Sequence, residues 1–283
     1  MYNSKNDIIE YKGIILDRFT HDGELSIRID ISKLKLCKKI IKEKGIKNID
    51  ISYNPKCKKD VDFLKDEVFS EAKSIHISAN CIENIDAVYE LKNLESFSLN
   101  VVKPSFEVDF QKLPTLKRIS FEWSKKFINI DKLKNLEDVK IWKYPYDNLK
   151  LFSDLKKIKR MEFNQSKLIN LEGIEALSNL IEFELNYNRR LVSLKGFTSN
   201  HKNLKIFHSY SAPKLYEVND YLSKLVNLEV ILLSKVKEID SLKFLNKLKK
   251  LRIIEIKEGA FKVADNDYEP LKRALKRIEE KQQ

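Results

Sequence analysis

The stretch from Ser166 to Asn188, SKLINLEGIEALSNLIEFELNYN, decides the fold of this chain. Its first part repeats an apolar residue at every third position, which is typical of a tight, partly 3₁₀ turn. These residues are Leu168, Leu171, Ile174, Leu177 and Leu180. Phe183 and Leu185 then stand two apart, so their side chains would face the same way, as in a strand. The stretch therefore predicts one coil of a solenoid, a turn followed by a short strand.

The strand pattern recurs along the chain at intervals of 20 to 26 residues. Its two core positions are Ile27/Ile29, Ile49/Ile51, Ile75/Ile77, Phe97/Leu99, Ile119/Phe121, Val139/Ile141, Met161/Phe163, Phe183/Leu185, Phe207/Ser209, Ile231/Leu233 and Ile254/Ile256. A chance alternation would not keep this period over most of the chain, so we predict eleven repeating strands.

The end of this coil carries a second signal. Asn188 follows Phe183 by five residues, where a buried amide side chain would bond to the backbone of the turn. The pattern resembles a leucine-rich repeat of the roughly 22-residue class, found in internalins and in the protein-phosphatase regulatory subunit of this repeat type. The resemblance covers nearly the whole chain. It implies an α/β fold, an arc-shaped solenoid with a parallel β-sheet on its concave face and turns, 3₁₀ helices and short helices on its convex face. Only Asn54, Asn80 and Asn188 fill the asparagine position, so we expect irregular convex turns.

The chain is predicted to form a single repeat domain, residues 1–283, with a lid at each end because terminal coils would otherwise expose the core. Residues 1–31 would form a capping hairpin around His21-Asp22-Gly23, together with the first strand. Residues 32–257 would hold the repeats, and residues 258–283 a helical cap.

Three segments have helical character. They are Lys33–Lys44 ending at Gly45, Lys58–Phe69, and Asp267–Glu280 with Leu271, Leu275 and Ile278 on one face. The segment around Pro104 is expected to be extended.

The location of the protein is predicted from its termini and its cysteines. The N-terminal residues include no apolar run, and no stretch reaches transmembrane length, so no membrane contact is expected. Cys37, Cys57 and Cys81 are odd in number and scattered, and we predict that all three are free thiols. These features favour a cytoplasmic protein.

The net charge of +12 raises the possibility of nucleic-acid binding. The predicted concave face contradicts that use of the groove, because it holds eight acids and five bases, a net charge of −3. The acids are Asp30, Asp50, Glu122, Asp138, Glu162, Glu182, Glu184 and Glu255, and the bases are Arg28, Arg118, Lys140, Arg160 and Lys257. The groove is therefore expected to bind a basic protein rather than nucleic acid.

The candidate contact residues lie at strand positions that would face solvent on the concave side. They are Glu122, Asp138, Lys140, Trp142, Glu162, Asn164, Glu182, Glu184, Asn186, His208, Tyr210 and Leu232. Ile206 and Val230 are apolar at equivalent positions, which is typical of a protein interface. Two structural explanations stay open: Trp142 could pack on Tyr144 or Pro145, and Val230 and Leu232 could support a lid.

Nothing in the sequence predicts catalysis, a metal or a cofactor. His76 and His208 would lie on the same face but six strands apart, on the order of 29 Å, and no nucleotide-binding, nucleophile-elbow or zinc-protease motif occurs. The carboxylates of Glu162, Glu182 and Glu184 would be solvated on an open sheet.

The predicted function is therefore non-catalytic protein binding through the concave face. Among cytoplasmic repeat proteins of this appearance, bacterial immunity proteins that bind and neutralise a cognate toxin are the leading interpretation, and an acidic groove would suit a basic toxin. An adaptor or regulatory subunit of a constitutive enzyme partner is the alternative. Nucleic-acid binding through a lysine-rich outer surface is a third hypothesis.

Overall fold

The protein is described by a computed structural model that covers residues 8–18, 23–52, 59–256 and 261–282. It consists of two compact units, Met1–Asn135 and Leu136–Gln283, here called the N-terminal and C-terminal units. Both units are built from short strands joined by turns and 3₁₀ helices.

The strands of the N-terminal unit begin with an antiparallel cap and continue in parallel. They are β1 (Ile9–Tyr11), β2 (Ile14–Asp17), β3 (Ser26–Arg28), β4 (Asn48–Ser52), β5 (Ser74–Ser78), β6 (Ser96–Leu99), β7 (Val108–Asp109), β8 (Arg118–Glu122) and β9 (Phe127–Ile128). β1 pairs with β2 and β2 with β3, both antiparallel, and each later pair from β3 through β6 to β8 is parallel. β7 pairs with β9 in a separate two-stranded sheet. His21 and Asp22 of the predicted hairpin turn lie outside the described residues.

One α-helix, α1 (Leu34–Lys44), connects β3 to β4. It ends at Gly45, which has φ +62° in the left-handed region, and the glycine N–H bonds to the Ile41 carbonyl. The prediction for this segment is confirmed. The second predicted helix is wrong in type, because the chain forms two 3₁₀ helices there, Asp62–Lys65 and Glu67–Phe69, separated by Asp66 in an extended conformation.

The other 3₁₀ helices of this unit occupy the turns between strands. They are Ile31–Lys33, Asp86–Glu90, Phe110–Lys112 and Ile130–Lys132.

The C-terminal unit holds the more regular coils. Its strands are β10 (Asp138–Trp142), β11 (Arg160–Asn164), β12 (Glu182–Asn186), β13 (Ile206–Tyr210), β14 (Val230–Ser234), β15 (Glu238–Ile239), β16 (Ile253–Glu255) and β17 (Lys262–Val263). β10 to β14 and β16 form consecutive parallel pairs, and β15 pairs with β17 separately.

The helices of this unit are α2 (Asn219–Leu222), α3 (Glu269–Gln282) and the 3₁₀ helices Lys150–Phe152 and Lys243–Asn246. α3 is the predicted C-terminal helix, but its buried face differs from the prediction. Leu271, Ala274 and Ile278 are buried, whereas Leu275 is 39% exposed. Both residues stand three or four positions from Leu271 and Ile278, so the spacing alone does not decide which of the two is buried.

The core consists of the alternate strand residues that the sequence predicts. Met161, Phe183 and Phe207 are each at most 1% exposed and stand side by side in the parallel register. Their neighbours, such as Glu162 and Glu184, lie on the opposite face. Because a slip of one residue would exchange the two sets, the predicted register is confirmed.

Phenylalanines line the core of the C-terminal unit. The ring of Phe183 lies 6.3 Å from that of Phe163, 5.6 Å from that of Phe197 and 6.5 Å from that of Phe207, measured between centroids. Such ring pairs stabilise a core beyond the burial of their area.

A left-handed residue follows several strands of this unit although none of these residues is glycine. The backbone N–H of Lys143, Gln165, Tyr187 and Ser211 each donates to a carbonyl at the end of the next strand, at 2.7 to 2.8 Å. The bond offsets the cost of the positive φ angle. After this residue, Asn188 is fully buried; its Oδ1 accepts from the Ser166 N–H at 3.0 Å and its Nδ2 donates to the Phe163 carbonyl at 2.9 Å.

The connections after these strands differ in length while the strands stay in register. Between β11 and β12 the aligned positions Arg160 and Glu182 are 22 residues apart, and between β12 and β13 Glu182 and Ile206 are 24 apart. The backbones of the turns still bond from coil to coil, since the Val192 N–H donates to the Ile169 carbonyl and the Tyr216 N–H to the Val192 carbonyl.

The cysteines differ from the prediction. Cys37 is free and buried, but Cys81 is disulfide-bonded, and Cys57 lies outside the described residues. The expectation that all three thiols are free is therefore wrong. The cysteines no longer support a cytoplasmic location, because a structural disulfide is typical of an oxidising compartment.

Candidate partner-binding surface

One face of the parallel sheet in the C-terminal unit is uncovered, and we call it the open face. Its outward side chains form three rows across the strands, because parallel register places equivalent residues side by side. The first row is Asp138, Arg160, Glu182, Ile206, Val230 and Ile253; the middle row is Lys140, Glu162, Glu184, His208, Leu232 and Glu255; the last row is Trp142, Asn164, Asn186, Tyr210 and Ser234.

The part of this face on β10, β11 and β12 is the charged half, and its charges are largely paired across strands. Arg160 Nη2 donates to Asp138 Oδ2 at 2.9 Å, and Lys140 Nζ lies 2.9 Å from Glu162 Oε2. The Lys140 ammonium also lies 5.0 Å from the centroid of the Trp142 ring, in a cation–π contact. Side chains expected to be free for a partner therefore already bind one another.

Three titratable groups meet where the charged half ends. His208 Nδ1 lies 3.5 Å from Glu184 Oε1, and a hydrogen bond to His208 lowers the pKa of Glu184. Burial raises the pKa of the neighbouring Glu182, and a hydrogen bond with Glu184 adds to the rise. Glu182 has no ion pair among the described residues. This carboxyl group can accept a cation from outside the chain.

Three of the predicted contact residues are less exposed than alternation alone suggests. The side chains of Glu162 and Glu184 are 25% and 26% exposed. Asn164 is only 7% exposed, and its Nδ2 donates to Glu162 Oε1 at 2.9 Å. Asn164 thus orients Glu162 and is not itself a surface group.

The last row carries aromatic side chains. Trp142, Asn186 and Tyr210 are half-buried. The rings of Tyr210 and Tyr187 meet edge to face at 5.1 Å, and Lys235 Nζ lies 4.8 Å from the Tyr210 centroid. A hydrogen bond from Lys235 lowers the pKa of the Tyr210 hydroxyl.

The part of the open face on β13, β14 and β16 is the apolar half. Ile206, Val230 and Leu232 are half-buried although they stand on the solvent side of the sheet, and Ile253 is 53% exposed. Ile253 was not predicted, although its position before the core residue Ile254 matches that of Val230 before Ile231. The sequence does carry a signal for Ile253: two isoleucines stand side by side in a strand that ends in a charged residue. Because neighbouring strand residues face opposite ways, one of the two must lie on the open face.

The remaining predicted residue, Glu122, belongs to the N-terminal unit. It lies half-buried at the end of β8. In the same unit His76 Nδ1 lies 2.9 Å from Ser98 Oγ on the next strand.

Among the described residues, no group of three or more His, Cys, Asp or Glu side chains has the arrangement of a metal site. Within the same ranges, no helix has the length and apolar character needed to cross a bilayer.

No family model matches the sequence, and no curated protein does. Solved structures do match. An internalin (InlF) from Listeria monocytogenes superimposes with a TM-score of 0.52 at 13% identity, over 86% of this chain and 74% of that one. The chain has a leucine-rich-repeat fold. The functional domain of InlJ from the same organism is also similar, with a TM-score of 0.47 and 17% identity over 79% of this chain and 49% of the other.

The leucine-rich-repeat fold confirms the resemblance that the sequence predicts, and with it the α/β fold class. At this level of identity the likeness concerns the arrangement of coils. Which surface acts, and on what, depends on the residues that this chain places on that arrangement.

Proposed function

We propose that the open face of the C-terminal unit binds another protein and performs no catalysis. The observation that supports this most directly is the apolar half. Four apolar side chains lie on the solvent side of a sheet whose core is already filled by the opposite side chains, Phe207 and Ile231 among them. Exposed apolar groups beside aromatics and a few charges are typical of an interface that lacks its partner.

The partner's chemistry follows from what stands around the apolar half. Glu182 and Glu184 border it on β12, and Glu255 borders it on β16, where it is exposed. A partner with apolar side chains flanked by lysine or arginine would cover the isoleucines and place a cation between Glu182 and Glu184. A cation at that position would relieve the repulsion between two neighbouring carboxylates.

Within this class we favour a bacterial immunity protein that binds and neutralises a basic toxin. The adaptor or regulatory subunit of an enzyme stays the alternative, and the two differ in whether the partner is inhibited or held. The charged half supports a basic partner less strongly than the sequence predicts, because Asp138 and Glu162 are already paired.

The test uses two apolar residues of matched exposure. Ile253 on the open face is 53% exposed, and Val226 in the loop before β14 is 49% exposed. The partner is isolated from an extract of the source organism with the full chain as bait, purified, and titrated against the wild type and each variant. We expect Ile253→Asp to weaken the complex by about 2 kcal/mol or more, the usual threshold for an interface hot spot.

Val226→Asp carries the same chemical change outside the proposed surface and should alter affinity by less than about 0.5 kcal/mol. Equal affinities for the wild type and Ile253→Asp would remove the open face as the binding surface. Inhibition of the purified partner's own activity by the wild type would support the immunity interpretation, and an unchanged activity in the complex would support the adaptor.

A further inference from the structure

The turns that follow the strands of the C-terminal unit present a surface distinct from the open face. In each of these coils a buried residue follows the strand, and a buried leucine or isoleucine comes two or three residues later. The residues between these two buried positions point outward. The cations on this loop surface are Lys167, Arg189, Arg190, Lys214 and Lys237, and all five are exposed. The repeating coil therefore places at least one cation on each of four successive turns.

Backbone hydrogen bonds hold these turns in one continuous surface. The Lys167 N–H donates to the Tyr144 carbonyl, the Val192 N–H to that of Ile169, and the Tyr216 N–H to that of Val192. The four turns follow β11 to β14, so the cations extend over three strand spacings, on the order of 14 Å.

The five cations are available to a ligand. None of them has an ion pair or a side-chain hydrogen bond within the described part of the chain. Many other lysines of this unit are paired, for example Lys195 with Glu172 and Lys205 with Glu229. In the described turns after β11 to β14 the acids beside these cations are Glu217 and Glu238, fewer than the five cations, so the surface keeps a positive charge.

Three exposed tyrosines lie beside these turns: Tyr146 in the preceding turn, after β10, Tyr187 directly before the buried Asn188, and Tyr216 directly after the buried Leu215. Among the described residues, the tyrosines classed with the exposed large hydrophobic side chains are Tyr146, Tyr187 and Tyr216, at 51%, 44% and 41%. Tyr187 stands at the left-handed position directly before Asn188-Arg189-Arg190, with φ +59°. The bond from its N–H to the Tyr210 carbonyl holds the backbone there, and its ring is fixed edge to face against Tyr210.

We propose that this loop surface binds single-stranded nucleic acid. Exposed aromatic rings between unpaired cations offer a stacking platform for bases and contacts for phosphates, which together define sequence-tolerant binding of single strands. An acidic polypeptide would use the cations but would gain little from the tyrosine rings beside them. This function adds to protein binding by the open face and uses different residues.

The experiment measures fluorescence anisotropy of a labelled 20-residue oligothymidylate and of the corresponding oligouridylate with the full chain, over a range of salt concentrations. We expect binding at low salt and a linear fall of log affinity with log salt, with about 0.7 in the slope for each phosphate contact. The variant Arg189→Glu, Arg190→Glu, Lys214→Glu should lose at least tenfold in affinity and about 2 in the slope, because three contacts are removed.

A matched control changes three unpaired cations elsewhere in the same unit. Lys247, Lys249 and Lys250 are exposed, and their replacement by glutamate gives the same change in net charge. This control variant should stay within about threefold of the wild type. Tyr187→Ala and Tyr216→Ala should each weaken binding about tenfold, since loss of a stacked base costs roughly that much.

Three results would overturn the proposal. One is a lack of binding to either oligonucleotide at low salt. Another is an equal loss in the two triple variants, which would reduce the effect to net charge. The third is full competition by polyglutamate together with unaltered binding by the tyrosine variants, which would assign the surface to an acidic polypeptide. Ile253→Asp should leave oligonucleotide binding unchanged, so failure here and failure of the open-face proposal are separate outcomes.

Discussion

The charged half and the apolar half of the open face have the same backbone and opposite surface chemistry. On β10 and β11, acids and bases in adjacent strands neutralise each other, as Arg160 and Asp138 do at 2.9 Å. On β13, β14 and β16 the equivalent first-row positions are isoleucine or valine. The first half is satisfied within the chain, while the second exposes apolar surface to water.

This difference shows that a count of charged residues on a predicted face overstates the electrostatic attraction that the face offers to a partner. A residue on one strand meets the residue one repeat later, so opposite signs 22 positions apart cancel. The affinity of such a sheet for a partner depends more on side chains that have no oppositely charged neighbour on the adjacent strand.

The largest expected effects test whether the halves differ only at the surface. Phe163 beneath the charged half and Phe207 beneath the apolar half are both fully buried. Replacing either by alanine should lower the free energy of unfolding by about 3–5 kcal/mol, because each leaves a cavity in the core. Urea denaturation of the two variants should give losses within about 1 kcal/mol of each other. A clearly smaller loss for one would place the difference between the halves in the core as well.

The next effect concerns His201, in the turn that leads into β13 of the apolar half. His201 is 1% exposed; its Nε2 donates to the Ile174 carbonyl at 2.9 Å, and its Nδ1 accepts from the Thr198 N–H at 3.0 Å. Burial lowers its pKa in the folded state. The folded protein therefore holds fewer protons than the unfolded chain at mildly acidic pH.

An unfolded histidine has a pKa of about 6.5, and above that pH the stability that His201 contributes should be fully present. This stability should be lost as the pH falls through the lower pKa of His201 in the folded protein. Thermal unfolding of the wild type and of His201→Gln between pH 7.5 and 5 measures this loss. The variant should be less stable throughout but show a flatter dependence on pH. Parallel curves would mean that other groups cause the dependence.

The smallest effect is expected in the charged half itself. The Asp138–Arg160 pair is partly exposed, so a double-mutant cycle with Asp138→Asn and Arg160→Gln should give a coupling free energy below about 1 kcal/mol. Partner affinity should also change little, because the pair is already satisfied. A loss of partner binding comparable to that of Ile253→Asp would show that the charged half takes part in recognition and would remove the distinction between the halves.

The strand positions could be predicted from the sequence because burial alternates with a period of two and recurs with each coil. All eleven predicted strands are present, and their predicted core residues are buried except Ile254 in β16, which is half-buried. The cross-strand ion pairs were also within reach, since Asp138 and Arg160 occupy equivalent positions of successive coils. Each pair joins two strands, so it becomes visible only when equivalent positions of neighbouring coils are compared.

Other features lacked a readable signal. The left-handed positions hold Lys143, Gln165, Tyr187 and Ser211, and none of these residue types by itself predicts a positive φ angle. The segment before β5 has helical periodicity, but Asp66 interrupts it and caps the second 3₁₀ helix with its side chain. The disulfide at Cys81 depends on which residues are close in space, and spacing along the chain does not give that.

The unequal turn lengths have an evolutionary consequence. Strand register is the same across the 22-residue step to β12 and the 24-residue step to β13. Residues added in the turns therefore leave the pairing of the core residues unchanged. Insertions and substitutions in the turns can accumulate one at a time, and the protein encoded at each step still folds. The loop surface can therefore diversify rapidly among descendants of this gene, while the sheet beneath it changes slowly.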